Sequence, residues 1–96
     1  MSTTKIQFPA ELVQENNEQF DEETAQLADS ILSVWNPSAS GKAPSGVAAT
    51  AVYVAAMITD ETVTQEQLCD VFGTSPATIR KQQAEAMRTA REHDAL

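Results

Sequence analysis

The chain has 96 residues, of which 42% are hydrophobic, and its 14 acidic and 6 basic side chains give a formal charge of −8. That length has room for one small core, and three Gly and four Pro mark an ordinary globular domain, not a linker or low-complexity tail. Acid in this excess repels phosphate backbones and anionic membranes, and the single cysteine, Cys69, excludes a disulfide framework or a cysteine metal cluster.

The charge is unevenly spread. Residues 80–96 hold Arg80, Lys81, Arg88 and Arg91 against Glu85, Glu92 and Asp94, a net of +1, so residues 1–79 carry −9. The longest apolar stretch, Val47 to Ile58, is shorter than the roughly 20 residues of a membrane span. No basic region followed by an apolar core opens the chain, so a cytoplasmic protein without membrane contact is expected. Single-sign acidity with few Lys and many Ala, Thr and Val suits a cytoplasm with multimolar salt, as in haloarchaea. An ordinary acidic mesophile domain is the alternative.

Residues 1–8 lack periodicity and are expected to form a flexible N-terminus. Pro9 suits the first position of a short helix running to about Gln19, with Leu12 and Val13 inward. Asp21 is a good N-cap for a second helix, where Glu22 and Glu23 favour the dipole and Ala28, Ile31, Leu32 and Trp35 recur at helical spacing. Pro37 should end it near Asn36, ahead of a loop through Ser38-Ala39-Ser40-Gly41. Pro44 then opens the element from Val47 to Ile58, apolar on every face, which predicts the central helix of a bundle. A buried strand competes there, but length and Ala content favour helix.

Thr64 and Gln67 have capping-box spacing, and Leu68, Val71 and Phe72 form one face of the helix they begin. Gly73 can end that helix in the left-handed conformation, and Ser75-Pro76 supplies an N-cap and first residue for the next. In the last helix Ile79, Ala86, Met87 and Ala90 share one face, while Lys81, Ala84, Arg88 and Arg91 share another, with Arg80 beside it. The prediction is an all-α domain of five helices over residues 9–92, with a helix-turn-helix at 64–91 and a tail at 93–96.

A helix-turn-helix sets its second helix in the major groove, with N-terminal residues at base edges and later cations on phosphates. Ser75, Ala77, Thr78, Arg80 and Lys81 are the candidate readers. Arg80 leads because guanidinium can donate two hydrogen bonds to guanine, and Lys81, Arg88 and Arg91 are candidate phosphate contacts. Helix-dipole and Glu pairing alone account for Arg88 and Arg91 near the C-terminus, but not for Arg80 and Lys81 near the positive end.

No constellation supports catalysis. His93 lies in the polar tail without a nucleophile or carboxylate at a useful spacing, and Cys69 has packing neighbours but no nearby cation. No metal-ligand spacing or phosphate-binding Gly loop occurs, so neither a cofactor nor a small-molecule substrate is expected.

The run Gly41-Lys42-Ala43-Pro44-Ser45-Gly46-Val47-Ala48-Ala49-Thr50-Ala51-Val52-Tyr53, then Thr64-Gln65, then Gly73-Thr74-Ser75-Pro76-Ala77-Thr78-Ile79-Arg80, resembles the second cyclin-like repeat of archaeal transcription factor B, the counterpart of eukaryotic factor IIB. The resemblance covers about residues 21–90. It implies a five-helix cyclin-like fold whose last helix binds duplex, promoter-like DNA through Ala77, Thr78 and Arg80, with Lys42 as a further candidate backbone contact. TATA-binding protein and other general transcription factors are the protein partners it implies.

The zinc ribbon and the first repeat of that family have no counterpart in these residues, so a stand-alone single-repeat regulator is expected. Ala77, Ala43, Gln82, Gln83 and Ala84 depart from the family pattern, which weakens base readout and backbone grip. The competing expectation is a protein-interaction module of the basal machinery that does not touch DNA.

Overall fold

Pro9, Pro44 and Pro76 each open a helix, as expected of a residue whose missing N–H falls where a helix has no acceptor for it. The computed structural model describes residues 8–35 and 43–92. They form α1 (Pro9–Glu15), a 3-10 turn (Asn17–Gln19), α2 (Glu22–Val34), α3 (Pro44–Thr59), α4 (Gln65–Phe72) and α5 (Pro76–Glu92), with no strand among the described residues. Lys42, the loop at Ser38–Gly41 and the tail with His93 lie outside them.

α3 is the centre. Every residue from Gly46 to Ala56 except Tyr53 is buried, and the helix packs against α1, α2, α4 and α5. Its small side chains let four neighbours approach, so the all-round apolarity of the sequence becomes all-round contact. Val13, Ile31, Leu68 and Ile79 are fully buried around it, one from each neighbour, and burial of such a side chain contributes about 1.5–3 kcal/mol. No helix of the described residues is long and apolar enough to cross a membrane.

Two element boundaries differ from expectation. α1 ends at Glu15 instead of continuing to Gln19, because the Asn16 side-chain amide donates to the Leu12 carbonyl at 2.9 Å and draws the chain out of helical geometry. Phe20 then stacks on Phe72 of α4, with ring centroids 6.1 Å apart and planes 9° from parallel. α2 ends at Val34, with Trp35 extended at φ −96° and ψ 110°. Asp21 occupies the N-cap position of α2 but makes no capping hydrogen bond with its side chain. Its backbone N–H instead donates to the Glu61 carboxylate, at 3.2 and 3.3 Å, which ties the start of α2 to the α3–α4 connection.

The α4–α5 pair is locally encoded. Thr64 and Gln67 form the reciprocal capping box, with Gln67 N–H to Thr64 Oγ1 at 3.1 Å and Thr64 N–H to Gln67 Oε1 at 2.9 Å. Gly73 adopts φ 72° and ψ 45°, which glycine reaches without a Cβ penalty. Both Gly73 and Thr74 N–H then donate to the Cys69 carbonyl. Three residues later α5 begins.

Candidate nucleic-acid interface

α5 is 17 residues long, about 25 Å at 1.5 Å per residue. At roughly 100° per residue, Ala77, Arg80, Lys81, Ala84, Arg88 and Arg91 fall within an arc of about 100°, and all six are exposed. Arg80, Lys81, Arg88 and Arg91 are also every cation among the described residues. The opposite face buries Ile79, Gln82, Ala86 and Ala90 against the bundle, with Met87 half-buried.

The helix start is more constrained than the sequence suggests. Ser75 is exposed and its Oγ accepts from the Thr78 N–H at 3.4 Å, a long capping contact. The Ser75 and Thr78 hydroxyls also meet at 3.0 Å. The Thr78 methyl turns toward α3, where a Cβ on Gly46 would lie 2.6 Å from its Cγ2. Thr78 is therefore half-buried and shares its side chain between the cap and the α3 contact, whereas Ala77, Arg80 and Lys81 are open to solvent.

On α5 itself, acid borders this stripe. Glu85 is four residues after Lys81, the spacing of a helix ion pair, but its Oε1 accepts from the indole Nε1 of buried Trp35 at 3.0 Å. Exposed Glu66 and Asp70 follow one another by a turn on α4. The Cys69 thiol between them is pushed above its ordinary value by burial, then by the charges of Asp70 and Glu66, which lowers its thiolate fraction near neutral pH.

Three features escape local periodicity. Gln82 sits on the buried face bonded to Thr50, Gly46 gives α5 its close approach, and Trp35 reaches Glu85 across 50 residues. Gln82 alone carried a signal, since it falls between Ile79 and Ala86 on the apolar face.

A family model described as the transcription factor TFIIB repeat matches residues 4–89. The chain is 48% identical over 46 residues to transcription initiation factor IIB 1 of Thermoplasma volcanium, covering 48% of this chain and 15% of that protein. It is 36% identical over 59 residues to transcription initiation factor IIB of Ignicoccus hospitalis, covering 62% of this chain and 19% of that protein. Transcription initiation factor IIB 2 of Haloferax volcanii is 48% identical over 48 residues, half of this chain and 14% of that protein. The chain thus spans 14–19% of the length of these curated relatives. No solved structure matches it. With the family match running from ahead of α1 to the last turn of α5, the chain belongs to the transcription factor TFIIB repeat family.

Proposed function

We propose that this protein is a DNA-binding transcription regulator, or an initiation-factor-like protein related to archaeal transcription factor B, that reads duplex DNA with α5. One observation carries this reading: every cation among the described residues lies on one exposed arc of a single helix. In this reading α4 and α5 act as a helix-turn-helix, α4 crossing the backbone while α5 enters the major groove. A helix about 10–12 Å across fits a groove about 12 Å wide. Arg80 reads a guanine, Lys81, Arg88 and Arg91 hold phosphates, and Ala77 and Ala84 keep the stripe thin enough for base edges to approach.

Counterion release supplies little where salt is already concentrated, so base-edge contacts and apolar fit provide much of the affinity in such a medium. Arg80→Ala should then lose sequence preference, while Arg88→Ala weakens all duplexes about equally and lowers the salt slope by about 1. Duplex titrations of both variants in potassium chloride check this. Unchanged binding in both contradicts the DNA reading.

The acid running from α1 through the 3-10 turn into α2 supports a second reading. Glu11, Glu18, Asp21, Glu22, Glu23 and Asp29 are all exposed and suit a basic protein surface, as in an interaction module for TATA-binding protein or another general factor. Charge reversal at Glu22 and Glu23 would then abolish the protein complex, and the two arginine variants would leave it intact.

A further inference from the structure

Gln82 is 5% exposed on the packed face of α5, a turn from both Ile79 and Ala86, where helical periodicity calls for an apolar residue. A buried amide costs free energy unless it is paired. Its partner is Thr50, fully buried in the middle of α3. Thr50 Oγ1 donates to the Gly46 carbonyl oxygen at 2.8 Å and to Gln82 Oε1 at 3.2 Å, so its one hydrogen is shared between an acceptor on α3 and an acceptor on α5.

Three residues further along α5, Glu85 accepts from Trp35 of the α2 end. Two directional bonds from different parts of the bundle thus grip adjacent turns of one helix. The fully buried apolar contacts on this face come from Ile79, Ala86 and Ala90, with half-buried Met87 at its edge, and two of the buried three are methyl groups that resist rotation weakly. A rotation of about 20° carries atoms at the rim of a helix by roughly 2 Å, enough to spoil a two-bond contact to a base. Buried polar pairs are known to fix register where apolar packing leaves it open.

We propose that Thr50 and Gln82 are a positioning pair that sets the rotation of α5, and through it the sequence discrimination of the exposed stripe, without touching DNA. The geometric half stands on the packing, and the consequence for discrimination rests on the DNA reading above.

Three variants separate positioning from stability. Thr50→Val keeps the side-chain shape and removes the hydroxyl, Thr50→Ser keeps the hydroxyl and removes a buried methyl, and Gln82→Met removes the amide from the other side. Trp35 is the chain's single tryptophan, and its indole N–H resonance reports the placement of α5 with or without DNA. Wild type and Thr50→Ser should give one sharp indole peak at the same position, while Thr50→Val and Gln82→Met displace or double it. On a duplex selected from a random pool, discrimination over scrambled duplex should fall about tenfold in Thr50→Val and Gln82→Met, with the salt slope unchanged. Thr50→Ser keeps discrimination although its melting midpoint drops.

An unmoved single indole peak in both Thr50→Val and Gln82→Met overturns the positioning pair. Moved peaks with full discrimination overturn its consequence for reading. A wild type that binds no duplex overturns the DNA reading, and the indole peak still decides the positioning pair.

Discussion

At Gly46, α3 approaches α5 so closely that a Cβ would meet the Thr78 methyl. Two effects oppose each other on Gly46→Ala. Helix propensity favours alanine by about 0.5–1 kcal/mol, while forcing a methyl to 2.6 Å from Thr78 Cγ2 costs about 1–3 kcal/mol as overpacking. Thr78 is β-branched and tied to Ser75, so it yields poorly, and the clash should win. Denaturant melts should show Gly46→Ala destabilised in the natural background and no longer so in Thr78→Ser, where the offending methyl is gone. Equal effects in both backgrounds would refute the contact. At Cys69, burial and the charges of Asp70 and Glu66 raise the thiol pKa, which lowers the thiolate fraction near neutral pH. Labelling by a thiol reagent should therefore be slower than for free cysteine. Asp70→Asn should speed it by bringing the pKa back toward the ordinary value, with the rate measured across pH.

Among the elements, α3 and α4 end alike. Glu61 N–H donates to the Ala56 carbonyl at 2.9 Å, as Thr74 N–H does to Cys69 at 3.2 Å, and the residue before each is left-handed. That residue is Gly73 in one case and Asp60, at φ 65°, in the other. Left-handed geometry costs a residue with a Cβ roughly 1–2 kcal/mol, less for Asp and Asn. Asp60→Gly should therefore be more stable than Asp60→Ala by about 1 kcal/mol in a thermal or denaturant melt, and the reverse order would contradict the cap. The α4–α5 boundaries were legible in the sequence because every signal there is local: a capping box spans three residues, and Gly73, Ser75 and Pro76 act on their own backbone. The α1 overrun to Gln19 came from missing the return bond of Asn16. The pairings of Thr24 with Thr59, 2.7 Å apart, Thr50 with Gln82, and Trp35 with Glu85 were not legible, since each joins side chains more than thirty residues apart, and the place of Gln82 on the apolar face signals its burial but not its partner. The exposed cationic arc was legible as spacing, but the double engagement of Thr78 was not.

At the scale of the molecule, the chain is strongly acidic, and the cations of the described residues collect on one face of its last helix. A net-negative chain that approaches a polyanion must present that face first, and dilution of salt should strengthen both the attraction of α5 and the repulsion of everything else. Membership of the TFIIB repeat family accounts for the five-helix architecture, and in the proposed reading the stripe on α5 is the part of it that meets DNA. Mapping backbone amide shifts on titration with duplex, in concentrated potassium chloride, tests this most directly. The account predicts that the largest changes fall in residues 75–84 and at Arg88 and Arg91, with α1 and α2 silent. Changes confined to Pro9–Val34, or none anywhere, would contradict it.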